Sequence, residues 1–362
     1  MKSEWTRTKL LNVCSRLSSG KSIPAKKMRG KGHIPVYGGN GVRGYIDAEE
    51  NFNGECAIIG RQGAYCGNVR YYSGKAYMTE HAIVIQANEL ADTRFLAYKL
   101  SLMQLGRLSG QSAQPGLSVK VLGEQVIEIP PLPIQRKIAS ILSALDDKIE
   151  TNNAICRNLE EKGKAIFSQC YQKGNQHIKF TSVIRVLSGG TPKTSDPSFW
   201  NGEIPFFTPK DADAPFVLTT EKSLTKEGLN NCNSILYPAW TTFITARGTV
   251  GKISMAGFAM AMNQSCYALV SEEKHPLLTY LYALEVVKSL KQKANGAVFD
   301  AIVTRDFDRE EVKLLKKEEE QMLLKQIEPL YAMIRNLQEE NHNLTNIRDT
   351  LLPVLMRGEY DV

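Results

Sequence analysis

The chain has 362 residues, 43% hydrophobic and 23% charged, with 45 Lys and Arg against 38 Asp and Glu and a formal net charge of +7. At roughly 150 residues per domain, that predicts two to three domains with real cores and excludes a disordered, collagenous or disulfide-dense chain. No apolar run approaches the ~18 residues of a membrane span, and the charged start MKSEWTRTKL lacks the apolar segment of a secretory signal.

Seven Cys without a CxxC pair point to scattered thiols in a reducing cytoplasm, not to zinc or a disulfide framework. Charge is uneven along the chain. Residues 1–130 carry 17 basic and 10 acidic side chains, and in the first 31 residues nine basic side chains face Glu4 alone. Such a stretch suits a polyanion as partner, or is a solvated basic face. Residues 177–312 are balanced, 14 against 14.

Taken in chain order, residues 1–130 read as a mixed domain rich in β structure. Runs such as Glu55-Cys-Ala-Ile-Ile59 and Ala82-Ile-Val-Ile85 sit between Gly and Asn clusters, and a helix is expected over 93–105. Gly39-Asn-Gly41-Val-Arg-Gly44 matches GxGxxG, but the turn-rich Tyr45-Ile-Asp-Ala-Glu-Glu50 follows where a dinucleotide site needs a helix, so a glycine-rich surface loop is preferred. Pro130-Pro-Leu-Pro133 opens the next region, 131–176, where Ile138, Leu142, Leu145, Ile149, Asn152, Cys156, Leu159, Gly163, Ile166 and Cys170 recur at steps of four and three. That spacing predicts a long coiled-coil helix over about 134–171. Residues 177–312 read as a second β-rich domain, with a strand at Thr241-Thr-Phe-Ile-Thr245 and a helix over 276–293. Residues 313–362 then hold a second long helix, entered through the charged run 313–320. Its seam is Leu323, Ile327, Leu330, Ile334, Leu337, Asn341, Leu344, Arg348, Leu351 and Leu355.

The two seams are in the same phase, 185 residues apart. Leu17-Ser-Ser-Gly20 and Ile34-Pro35 likewise echo Leu187-Ser-Gly-Gly190 and Ile204-Pro205 at 170, and Gly110, Val126 and Gln135 echo Gly296, Val312 and Gln321 at 186. Arg61-Gln-Gly63 echoes Arg247-Gly248. A tandem duplication of about 180 residues explains the order domain, helix, domain, helix. Antiparallel packing over the full overlap makes facing residue numbers sum to 493 and sets Asn152 opposite Asn341, either a polar pair of the kind that specifies register or two Asn facing water at a frayed layer. The expected fold is thus mixed α/β: two similar domains held at the ends of two long helices, about a pseudo-twofold axis.

The chemistry of catalysis is harder to find. There is no Walker A motif, HExxH or GxSxG, and the one Pro-Pro, at 130–131, lacks the flanks of an amino-methyltransferase loop. Asp300 or Asp306 with Glu311-Val-Lys313 makes a metal-nuclease pattern that chance supplies often, with Glu311 and Lys313 at a helix entry. The expectation is no catalytic residue and no metal.

Ser188-Gly-Gly-Thr-Pro-Lys-Thr194, with Trp200-Asn-Gly202 and Ile204-Pro205, resembles the domain-opening motif of the specificity (S) subunits of type I restriction-modification systems. Pro130-Pro-Leu-Pro-Ile-Gln135 leading into Leu145-Asp-Asp-Lys-Ile-Glu150 resembles that family's first long helix, and Arg348-Asp-Thr-Leu-Leu-Pro353 with Gly358-Glu359 resembles the end of its second. The resemblance spans the whole chain, although the first domain has Leu17-Ser-Ser-Gly-Lys-Ser-Ile-Pro24 in place of the usual glycine turn.

The resemblance implies two target recognition domains, each reading one half of a bipartite double-stranded DNA site. It further implies helices that set the spacing and dock two methyltransferase (modification) subunits, with restriction subunits as an optional addition. The chain itself would hold no cofactor; S-adenosylmethionine, and ATP with Mg for restriction, belong to the partners. Candidate DNA contacts are Lys21, Lys26, Lys27, Arg29 and Lys31 in a broken basic stretch, Arg43, Arg61 and Arg70 among glycines, and Thr191, Lys193, Lys210, Arg247 and Lys252 in the second domain. The alternatives are a coiled-coil scaffold that binds protein alone and a silent specificity copy.

Overall fold

The computed structural model describes residues 5–109, 116–293 and 301–359. Glu4, Gly110, Gly296 and Asp300, noted above, lie outside the described residues. The chain divides into two compact units, one formed by Met1–Asp147 with Leu344–Val362 and the other by Lys148–Asn343.

In the first unit, strands β1 (Thr6–Lys9), β2 (Cys14–Ser19), β3 (Ile34–Gly38), β4 (Gly41–Ile46), β5 (Phe52–Gly60), β6 (Val69–Met78) and β7 (Ala82–Ala87) precede helix α1 (Thr93–Ser101), short α2 (Val119–Gly123), β8 (Val126–Ile129) and the start of long helix α3 (Leu132–Tyr171), which passes into the second unit at Lys148. The Gly39–Gly44 segment is a turn into β4, not a helix, as the residues after it require. Six strands form one sheet in the order β2-β7-β5-β6-β3-β4, and β1 pairs antiparallel with β8. The apolar run of β5 and β7 is buried on both faces, with Ile59, Ile83 and Ile85 under α1 and Cys56, Ile58 and Val84 on the other side. Asp92 caps α1 by accepting from the Phe95 amide at 2.8 Å. Helix α3 starts with Pro133 in its first turn, where no amide partner is lost. Buried Gln135 accepts from the Asp92 amide at 3.0 Å and donates to the Pro130 carbonyl at 2.8 Å, tying the start of α3 to the start of α1.

The second unit repeats the plan. It holds β9 (Gln176–Lys179), β10 (Arg185–Ser188), β11 (Trp200–Phe207), β12 (Phe216–Val217), β13 (Lys222–Leu224), short α4 (Lys226–Asn230), β14 (Thr242–Thr245), β15 (Ile253–Ala256), β16 (Ala261–Met262), β17 (Cys266–Val270), α5 (Pro276–Lys293), short α6 (Thr304–Phe307), β18 (Glu311–Leu314) and long helix α7 (Lys317–Met356) up to Asn343, the rest of α7 belonging to the first unit. The order β10-β17-β14-β15 matches β2-β7-β5-β6. Parallel pairing of Phe206 with Ala261 in β11 and β16 matches that of Val36 with Tyr77 in β3 and β6, and β9 pairs with β18 as β1 does with β8. Glu311 and Lys313 therefore lie on an edge strand rather than at a helix entry. Val312 is buried between them, in a period-two pattern.

Both long helices have 40 residues, about 60 Å at ~1.5 Å per residue. None of the twenty seam positions read from the sequence is exposed. In the first unit Ile138 and Leu142 share a core with Leu351 and Leu355. In the second, Cys156 and Phe167 share one with Leu323, Ile327, Tyr331, Ile334 and, at its edge, Leu159 and Leu337. There Asn152 Nδ2 donates to Asn341 Oδ1 at 2.9 Å, the pairing set by the sum of 493. The same Nδ2 also donates to Glu340 Oε2 at 2.8 Å, and Asn341 Nδ2 donates to Asn153 Oδ1 at 2.9 Å. One seam layer is displaced: Tyr331 is fully buried where Leu330 is only partly so, and a Cβ at Gly163 would stand 2.8 Å from the Tyr331 ring.

Candidate nucleic-acid interface

The paired glycines that open each repeat are required by packing. A Cβ at Gly20 would stand 2.0 Å from the Met78 carbonyl oxygen, and one at Gly189 would stand 2.1 Å from that of Asn263. Both glycines close β2 or β10 onto the strand beside it, through Gly20 N to Ala82 O and Gly189 N to Cys266 O. Gly202 fits for the same reason, 2.5 Å from the Leu224 carbonyl. Trp200 stacks edge-on to Phe206 and donates to the Lys193 carbonyl at 3.3 Å. The motif thus shapes the loops that carry the candidate contacts.

The structure gathers Arg43, Arg61 and Arg70 around one glycine cluster. A Cβ at Gly38 would meet Arg43 Cδ at 2.4 Å, at Gly39 the Arg61 amide at 3.6 Å, and at Gly41 Arg70 Nη1 at 3.3 Å. Arg43 and Arg70 are exposed, whereas Arg61 is partly buried and donates to the Glu80 carbonyl at 3.4 Å. Arg70 and Arg107 also line an open, polar depression of about 590 Å³ with Ser101 and Gln104. Beside the cluster, Tyr37 is half-buried, and burial pushes its phenol up to about 12.

The basic stretch is less uniform. Lys21, Lys26, Lys27 and Lys31 are exposed, with Lys26 and Lys27 on a single turn, Ala25–Lys27. Arg29 is held at 3.0 Å from Asp47. In the second unit Lys210 pairs with Glu221 at 3.2 Å and Lys252 with Asp213 at 2.5 Å. Thr191 donates to Gln264 Oε1, and Lys193 and Arg247 are exposed.

Main-chain bonds align the loops of the two units residue by residue. Arg61 N bonds His81 O and Leu117 N bonds Arg61 O; Ala246 N bonds Ser265 O and Ile302 N bonds Ala246 O. Gln62 bridges Gly116, as Arg247 bridges Ala301. Gly63 and Gly248 both adopt φ +77°, and Gly67 and Gly251 adopt +85° and +74°. Arg247 is thus the counterpart of Gln62 and not of Arg61. Sequence reading missed Gln62 because the two loops align only through their left-handed glycines and hydrogen bonds.

The helix ends carry their own network. Arg348 donates to Asp146 Oδ1 at 2.8 Å and to Asp349 at 2.7 Å, and Tyr98 donates to the other Asp146 oxygen. Burial lowers the Arg348 guanidinium pKa, but Asp146 and Asp349 more than offset this and the net shift is upward. Asp306, weighed above as a nuclease carboxylate, accepts from the Val303 amide at the start of α6. Among the described residues no group of three or more His, Cys, Asp and Glu could hold a metal, and no helix is long and apolar enough to cross a membrane.

The type I restriction modification DNA specificity domain matches residues 2–161 and again 172–346. The chain belongs to that family. It carries two copies of the DNA specificity domain, one per half. It is 37% identical over 144 residues to the EcoprrI specificity subunit of Escherichia coli, and the match covers 39% of this chain and 36% of that protein. To the MjaIX specificity subunit of Methanocaldococcus jannaschii it is 24% identical over 176 residues, covering 47% and 40%. Each of these matches spans less than half the length of the relative. The crystal structure of a type I restriction-modification S subunit from M. genitalium superposes with a TM-score of 0.65 at 18% identity, over 97% of this chain and 96% of that one, a likeness of fold.

Proposed function

We propose that this chain is the specificity subunit, the non-catalytic DNA reader, of a type I restriction-modification assembly in the cytoplasm. Each repeat reads one half of a bipartite duplex site. Helices α3 and α7 set the gap and dock two modification subunits, to which restriction subunits add. S-adenosylmethionine, and ATP with Mg for restriction, are then bound by those partners. The observation that carries this reading is one loop built twice on one sheet order, with different exposed residues at its tip. A duplicated scaffold with divergent tips suits a site whose halves differ.

Exposed lysines and arginines supply sequence-independent attraction to phosphate, and side chains at loop tips supply base contacts. The complex of this chain with its modification subunit should retard a randomised duplex pool at moderate salt and enrich two short sequences separated by a degenerate gap. A scaffold that binds protein alone would form the complex and retard no DNA.

A further inference from the structure

The two units carry different side chains at one equivalent place, and the difference has a chemical reading. Resting on the function proposed above, we infer that Gln62 and Arg247 are base-reading residues of the two halves, Gln62 for adenine and Arg247 for guanine. Both are exposed and both precede a glycine at φ +77°. A Cβ built on Gly63 or on Gly248 meets nothing within 4 Å, so both loop tips face open space. Each tip is nonetheless anchored. The residue before it is fixed by two main-chain bonds of 2.8–2.9 Å, and Gln62 and Arg247 are themselves bridged to Gly116 and Ala301. An exposed side chain on an immobilised backbone is what direct readout of a base edge requires.

The functional groups differ in kind. Adenine offers one acceptor and one donor in the major groove, N7 and N6–H, which an amide answers with one donor and one acceptor. Guanine offers two acceptors, N7 and O6, which a guanidinium answers with two donors. Gln62 Oε1 lies 3.1 Å from His81 Nδ1, and His81 Nε2 lies 3.4 Å from Glu80 Oε1. Oε1 can only accept, so in that contact Nδ1–H donates to it, and Gln62 keeps both amide hydrogens and a second oxygen lone pair for a base edge. Glu80 and His81 are therefore positioning residues for Gln62. Arg61, one residue earlier, turns its guanidinium back to the Glu80 carbonyl. Among the described residues Arg247 has no ion-pair or side-chain hydrogen-bond partner, so no described group occupies its paired donors.

The test is selection from a randomised duplex pool by the full chain in complex with its modification subunit, comparing wild type with Gln62→Ala and with Arg247→Ala. The wild-type motif should hold a fixed adenine in one half and a fixed guanine in the other. Gln62→Ala should cut the preference for that adenine by about 5- to 150-fold, and Arg247→Ala the preference for that guanine by the same order. Each variant should leave the opposite half-site intact, which also reports that the complex has folded. Gln62→Glu keeps the shape and loses the donor, and should move the preferred base at the same position away from adenine. Unchanged base preferences in either alanine variant, beside a bipartite wild-type motif, overturn the inference and leave the proposed function standing. So does a uniform weakening across all sequences, the mark of a phosphate contact. A wild-type complex that enriches no motif overturns the proposed function and this inference with it.

Discussion

Gly163 occupies a seam position that a coiled coil ordinarily gives to a large apolar side chain, and the reason lies on the facing helix. Tyr331 is fully buried, packs edge-on against Tyr280, and leaves room for hydrogen alone at Gly163. Gly163→Leu should cost about 1–3 kcal/mol of stability by overpacking, despite the better helix propensity of Leu. A denaturant melt that matched the wild type would contradict this contact. The cysteines make a second case. Burial pushes the Cys14 and Cys56 thiols up to about 12, which favours the protonated form. Both should resist iodoacetamide at pH 8 while the chain is folded and react once it is unfolded, as peptide mass mapping would record. Because the folded pKa lies above the unfolded one, near 8.5–9, these thiols stabilise the fold fully below pH ~8.5. That contribution is lost as the pH rises from there towards 12.

At the scale of the element, the antiparallel pairing of α3 and α7 depends on one polar layer. Asn152 is completely buried, gives its amide hydrogens to Glu340 and Asn341, and keeps an Oδ1 with no hydrogen-bond partner. Removing one side of such a network leaves a buried polar group unpaired, whereas replacing both sides with apolar groups does not. Asn152→Ala alone should cost about 1–3 kcal/mol. Asn152→Leu combined with Asn341→Leu should be neutral or stabilising in a thermal melt, and should let the two helices slip in register. Equal loss in both variants would mean the layer contributes nothing beyond packing.

The register was legible in the sequence because a heptad phase and an offset of 185 leave one antiparallel solution over the full overlap. The buried Tyr331 was not, because Leu330 and Tyr331 are adjacent apolar residues and spacing alone does not choose between them. Strand β18 could have been read from the alternation Glu311-Val-Lys-Leu314, but the charged run after it drew that segment into the helix. Ion pairs such as Arg29 with Asp47 and Lys252 with Asp213 join residues 18 and 39 apart across loops, which no local pattern encodes.

For the whole molecule, duplication explains the sheet order, the paired left-handed glycines and the helix pairs together. It also explains a grouping that domain boundaries drawn along the sequence do not express: residues 344–362 belong with the first 147, and the second half of α3 belongs with the second domain. If α3 and α7 set the gap of a bipartite site, their length should control it and nothing else. A heptad is ~10.5 Å of helix, or about three base pairs at ~3.4 Å. The decisive measurement is a map of methylated bases in DNA from cells co-expressing this chain with its modification subunit, beside the same map for a chain lacking one heptad from each long helix. The account predicts a bipartite motif whose degenerate gap changes length while both half-sites keep their sequences. A continuous motif with no gap, or half-sites that change when the helices are shortened, would contradict it.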